Sequence, residues 1–256
     1  MQFSHETIIL YLSQLWWPIP RISGLFLAMP VVSSALMPMR VRVIFALGLA
    51  LLIAPVIPTS MTLLNFQPVY VLFVADEILL GLLMGFVVQL VFQVFILGGQ
   101  VIAMQTGLGF ATMVDPASKA SVPLISQFYL MLVTLTFLAL NGHLALLDAL
   151  LSSFKLLSPG QMHVELSSIG AVLNFSGWMF KEAVLVALPA ISALLIVSVS
   201  FGVMTRVAPQ LNIFSLGFPM TLLMGMVIIS ISLPGVAAQI ADSLEQGMLL
   251  IKGLLH

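Results

Sequence analysis

Four histidines, at positions 5, 143, 163 and 256, are the natural candidates for general-base or metal chemistry, and none has a partner at ligand spacing. His143, after Asn141-Gly142, reads as a helix-end residue. No H-E-x-x-H, G-x-S-x-G, P-loop or G-x-G-x-x-G motif occurs. Gly107-Leu108-Gly109-Phe110 has Phe where an intramembrane aspartyl protease needs Asp. The absence of cysteine removes thiol catalysis, disulfides and Cys-ligated metals. No enzyme activity and no cofactor are expected.

The remaining chemistry is that of polar groups set in apolar sequence. Gln89, Gln93 and Gln100, at offsets of four and seven, share one helical face, and Gly85 and Gly107 extend the stripe. A buried amide is costly unless bonded, so this face is expected to meet protein or water. It acts either as glue between helices or as a pore-facing stripe. Asp76-Glu77 lies near the start of the same apolar segment. It is either acid placed favourably near a helix N-terminus or, the preferred reading, one side of an ion pair with a partner subunit or with a lone arginine such as Arg206. Arg40, Arg42, Asp76, Glu77 and Arg206 are the candidate ion-pairing residues. The 16 methionines are mainly core filler, with a deformable seal as the alternative.

The elements that position these residues follow from composition. Of 256 residues, 61% are hydrophobic and 7% charged, with 8 Lys or Arg against 9 Asp or Glu. So few charges cannot cover a soluble globule, and a disordered chain, a nucleic-acid-binding domain and a disulfide scaffold are excluded as well. Charge-free runs cover 43–75, 78–114, 120–147, 183–205 and 207–241. Each is long enough for a membrane helix, which takes about 20 apolar residues. No alternation supports strands. The expectation is an all-α, membrane-inserted chain of about six apolar helices: 6–28, 39–57, 69–105, 121–141, 176–206 and 217–234. Pro18, Pro20 and Pro189 kink them, and Pro55, Pro58 and Pro234 end them. The longest mixed stretch is 142–175. Met1–Glu6 carries no Lys or Arg, so no cleavable leader is expected there. Topology stays open, because Arg40, Arg42, Lys119 and Arg206 on one side nearly balance Lys155, Lys181 and Lys252 on the other.

The most unusual segment runs from Gly107 to Pro116. Two glycines break one helix, and Asp115-Pro116 is expected to cap and start the next. Between them lie small or apolar residues, Leu108 to Val114, where a solvent loop would be polar. Such a loop either lies at the membrane interface or folds back to plug a cavity.

These segments together resemble the FliR family of type III secretion export-gate proteins, over nearly the whole chain. The markers are Pro20-Arg21-Ile22-Ser23-Gly24 with Pro30, Arg40-Val41-Arg42, Gly107 to Pro116 with Pro123, and Asn141-Gly142-His143. Ala187-Leu188-Pro189, Arg206, Pro209-Gln210-Leu211-Asn212, Phe214 and Gly217-Phe218-Pro219 complete the set. The ordered set is specific where no single piece is. The motifs Pro209-Gln210-Leu211-Asn212 and Gly217-Phe218-Pro219 favour the flagellar branch over the virulence paralogue. Met220 stands where flagellar relatives often carry lysine, so no role of that lysine is carried over.

The resemblance implies a single export-gate domain over 1–256, FliP-like over about 1–175 and a FliQ-like hairpin over about 176–256. It implies a helical assembly with FliP-like and FliQ-like subunits, in contact with FlhB and FlhA-like export proteins, rod proteins and unfolded secretion substrates. It places the chain in the bacterial inner membrane at the flagellar basal body, with the assembled core raised towards the periplasm, in contact with lipid and not with nucleic acid. It makes Gly107, Leu108, Gly109, Phe110, Ala111, Thr112, Met113, Val114 and Asp115 a pore plug, with Phe110 and Met113 its bulkiest fillers and Gly107 and Gly109 its hinges. The bend that closes the ring is expected at Pro209, Gln210, Asn212, Gly217, Phe218 and Pro219. The alternatives are a small transporter or channel acting alone, with the glutamine stripe as solute path, or a purely structural scaffold.

Overall fold

The structure is a computed structural model and describes residues 13–33, 37–56, 68–108, 112–114, 121–207 and 213–255. Within them the chain is mostly helical, with one small ribbon. The helices are α1 (Pro18–Ala28), α2 (Met39–Ile53), α3 (Tyr70–Thr106), α4 (Leu124–Ala139), α5 (Gly142–Leu156), α6 (Leu166–Val207) and α7 (Ile213–Gly253), with a 3-10 turn over Ala54–Val56. Strands β1 (Thr112–Val114) and β2 (Ser121–Pro123) pair antiparallel, Met113 opposite Val122.

The prolines do not all act as expected. Residues 13–16 are helical, a turn falls at Trp17, and Pro18 then starts α1, where its missing N–H leaves no bond unmade, so Pro18 interrupts the first apolar segment as expected. Pro189 lies inside α6, and Pro219 and Pro234 lie inside α7. Pro234 therefore does not end its helix, which continues to Gly253. Within long apolar helices a proline removes one bond and local adjustments re-satisfy the freed carbonyl. The mixed stretch 142–175 is also not a connection. It contains all of α5, and α6 begins at Leu166. α4 and α5 are joined through Asn141, whose φ of 56° is left-handed, a conformation Asn tolerates. Asp115 and Pro116, expected to cap and start a helix, lie outside the described residues; α4 begins at Leu124 with Pro123 as its N-cap.

Among the described residues three helices, α3, α6 and α7, are long and apolar enough to cross a membrane, and the bent pair α4–α5 raises that to four. At 1.5 Å per residue, the 42 residues of α6 and 41 of α7 each reach about 60 Å, twice a bilayer core of about 30 Å.

The chain divides into two compact units. The first takes 1–89, 141–175 and 245–256. Its core contains Trp17, Ile22, Leu25, Leu80, Met84, Leu150, Phe154 and Ile251. Here α1 lies against α3 with no side chain between the backbones. A Cβ on Gly24 would strike the Ile78 carbonyl, one on Gly81 the Arg21 carbonyl, and one on Gly85 would come within 2.7 Å of the Leu25 carbonyl. The second unit takes 90–140 and 176–244. Its core contains Phe95, Ile102, Val133, Phe137, Ala187, Leu194 and Ile240, with Phe92 edge-on to Phe137 at 5.7 Å.

Candidate functional site

The close approach of α1 to α3 sets up the most polar spot of the first unit. Glu77, Gly81 and Gly85 recur every four residues and form one face of α3. Because Gly81 lets the α1 backbone in, the Arg21 side chain reaches Glu77, one turn earlier on that face. Arg21 Nε donates to Glu77 Oε2 at 2.6 Å and Nη2 to Oε1 at 2.9 Å, a bidentate pair. Both side chains are wholly buried. α5 supplies the rest of the cage. Arg21 Nη1 donates to Ser153 Oγ at 2.9 Å, Nη2 donates to the Leu157 carbonyl at 3.0 Å, and the guanidinium lies 4.3 Å from the Phe154 ring centroid. Ser153 in turn donates to the Leu150 carbonyl. A buried charge is tolerated where its partner and its remaining hydrogen bonds are supplied, and here they are.

Asp76 does a different job beside it. Its Oδ2 and Oδ1 accept the backbone N–H groups of His163 and Val164 at 2.9 and 3.1 Å, fixing the connection from α5 to α6 onto α3. His163 Nε2 lies 2.8 Å from the Ser158 carbonyl in the same connection. The two neighbouring acids thus hold α1, α5 and the 157–165 connection against one turn of α3.

The ion pair forms with Arg21, which is not among the expected pairing residues, and not with Arg206. The partner of Glu77 is Arg21, and Arg206 is exposed in the last turn of α6, where a cation suits the helix dipole. Arg40 is exposed in the first turn of α2, and Arg42 Nη2 donates to the Ser33 carbonyl at 2.9 Å. The signal that could have found Arg21 was present: an arginine in an apolar run three residues before Gly24, facing a glutamate four residues before Gly81.

The glutamines behave differently from the glycine placed with them. Gln89, Gln93 and Gln100 are half-exposed on α3, in line with exposed Leu79, Leu82, Phe86 and Met104. Gly85 is buried on the face toward α1, so it does not belong to the stripe. Gly107 is the turn that follows α3, with a positive φ of 79° that favours glycine.

Of the expected plug, Gly107 and Leu108 follow α3, and Thr112, Met113 and Val114 form β1. Gly109, Phe110, Ala111 and Asp115 lie outside the described residues, as do Pro209, Gln210 and Asn212. The apolar segment is therefore partly a strand rather than a featureless loop. Gly217, Phe218 and Pro219 lie inside α7. Met29, Met84 and Met179 are core residues, whereas Met39, Met104, Met131, Met162, Met204, Met224 and Met226 are exposed, so filler describes only some of them.

In the second unit, α6 and α7 meet at Gln239, whose Nε2 donates to Glu182 Oε2 at 3.0 Å. Beside that contact is an apolar groove of about 520 Å³, walled by Val186, Pro189, Ile231 and Val236. The most apolar stretches of α6 and α7 bury only 22% and 11% of their residues against this chain, against 67% for α3. Surface of that kind is completed by lipid or by other subunits.

Comparison with known proteins agrees with this picture. Residues 12–247 match the bacterial export proteins, family 1. The chain is 33% identical over 241 residues to a flagellar biosynthetic protein FliR of Escherichia coli, covering 93% of this chain and 90% of that protein. It is 31% identical over 214 residues to a FliR of Aquifex aeolicus, covering 84% and 83%, and 30% identical over 204 residues to one of Bacillus subtilis, covering 78% of each. With the family matched over almost its full length, the chain belongs to family 1 of the bacterial export proteins.

Proposed function

We propose that this chain is a subunit of the flagellar type III secretion export gate, forming with FliP-like and FliQ-like subunits the channel for unfolded rod, hook and filament proteins. The observation that carries the reading is the family match over residues 12–247. Two physical features support it. α6 and α7 are about twice as long as a bilayer core is thick, and their apolar surfaces find little cover within the chain. Helices of that kind suit an assembly in which neighbouring subunits take up what lipid does not. α6 and α7 then supply the FliQ-like hairpin of residues 176–256, and the preceding part is FliP-like. FlhB and FlhA-like proteins meet the assembly, the rod begins at its outer end, and its core is raised towards the periplasm. The role is conductive and structural rather than catalytic.

The segment Gly107–Asp115 closes the channel at rest. Its support is its apolar composition, the glycine turn that releases it from α3, and the ribbon of β1 with β2 that holds its far side. The glutamine stripe is kept from lipid by a neighbouring subunit. Deleting residues 108–114 tests the plug. Ion leakage through membranes carrying the assembled gate rises, and export continues. Unchanged leakage from an assembled gate would contradict the plug.

A further inference from the structure

In the second unit, α6 carries a carboxylate that has no charged partner. Glu182 is half-buried, and its Oε2 accepts a hydrogen bond of 3.0 Å from Gln239 Nε2 on α7. That donor is neutral. Lys181, the next residue, is exposed and lies about 100° round the helix. Among the described residues no cation pairs with Glu182, and its second oxygen and the Gln239 carbonyl meet no donor. A carboxylate that apolar surface closes over is expensive unless a cation arrives with that surface.

The groove that begins at this contact has a polar end and an apolar length. Gln239 lies at one end, and the walls continue along Val186, Pro189 and Ala193 of α6 and Ile231, Gly235 and Val236 of α7. Its span, Leu185 to Ala193 on one side and Ile228 to Gln239 on the other, is about 12–17 Å, two to three turns of a third helix. The floor is low where a helix would sit: a Cβ on Gly235 would meet nothing within 4 Å. The polar atoms along it are mainly acceptors. Ser232 spends its proton on the Ile229 carbonyl at 3.0 Å, and Pro189 brings no N–H to the Leu185 carbonyl. An occupant must therefore bring donors, and a positive charge at the Glu182 end.

We infer that this groove seats an apolar helix of a neighbouring subunit, and that a lysine or arginine on that helix pairs with Glu182 beside Gln239. An acyl chain would fit the walls, but the carboxylate repels an anionic phospholipid and its open oxygen stays unmet. The inference rests on the reading that other subunits cover α6 and α7, and it adds the chemistry of the covering helix.

The test uses the full chain in its assembled complex, with a photo-crosslinking amino acid at Ile231 in the groove wall. Mass spectrometry of the crosslinked peptide is expected to show an apolar segment with a lysine or arginine about two to three turns from the crosslinked residue. E182Q, which keeps a hydrogen bond to Gln239 but removes the charge, is expected to release that subunit about thirtyfold faster. Q239L, which keeps the charge, is expected to retain it far better than E182Q. A crosslinked segment without a basic residue at that distance overturns the inference, and so does E182Q holding its neighbour as tightly as the parent chain. A crosslink to phospholipid alone, from a complex that keeps its other subunits, also overturns it and assigns the groove to lipid. In these three cases the complex is intact and the gate reading stands. A chain that takes up no partner subunit contradicts that reading, and the inference with it.

Discussion

A single buried arginine organises the first unit. Arg21 has no water to turn to, so its stability contribution depends on Glu77, Ser153 and the Leu157 carbonyl being in place. Removing one member strands the other. Arg21→Met is expected to destabilise the fold by about 3–5 kcal/mol, because Glu77 is left as an uncompensated buried charge. The double variant R21M/E77L is expected to recover most of that loss, since an apolar pair of similar volume escapes the desolvation penalty. Thermal unfolding in detergent checks both, and a double variant no better than the single one would mean that the pair adds more than charge compensation. This site was half legible in the sequence. Asp76-Glu77 stood out as acid in an apolar run and asked for a partner, but proximity of Arg21 to Glu77 depends on how two helices cross. The glycines that permit the crossing were visible, yet Gly85 was assigned to the glutamine face because an offset of four fits either side of a helix that packs on several neighbours.

Helices carry the next level of the account. Gly81 is needed for the crossing of α1 and α3, since a Cβ there meets backbone that cannot move aside, whereas Gly177 on α6 has nothing within 4 Å. Gly81→Ala is expected to cost about 1–3 kcal/mol through overpacking. Gly177→Ala is expected to be neutral or stabilising by up to about 1 kcal/mol through helix propensity. Chemical denaturation of the two variants separates the effects, and equal losses would contradict the crossing as described. Apolar runs read well at this scale: α2, α3 and α4 fall where hydropathy places them. Helix ends read poorly. Charges at Lys181, Asp242 and Glu245 look like boundaries, but α6 and α7 run through them, because a helix much longer than a bilayer has no need to stay apolar beyond it. Pro234 does not end α7, because a proline inside a long apolar helix can kink it without ending it, as Pro189 inside α6 shows.

As a whole, the molecule is unfinished surface. Two of its longest helices leave most of their apolar stretches uncovered, and seven exposed methionines lie among them and elsewhere. The chain is therefore expected to purify alone only as a detergent-dependent or aggregating species and to become monodisperse when co-expressed with FliP-like and FliQ-like subunits. Size-exclusion chromatography of the two preparations checks this, and a monodisperse single-chain species with solute transport of its own would favour a transporter acting alone. Composition foretold the uncovered surface, since so few charges cannot solvate 256 residues. It could not say whether lipid or protein covers it, because both are apolar to a side chain.

If segment 107–115 plugs the channel, an exported chain runs past the β1 segment. The direct test is a photo-crosslinking amino acid at Met113 in the assembled gate, with an export substrate arrested in transit by a folded domain at its end. A crosslink is expected between position 113 and the arrested substrate, and it disappears when the substrate is absent or released. No crosslink at position 113 from an assembled gate holding an arrested substrate would rule out passage at the β1 segment.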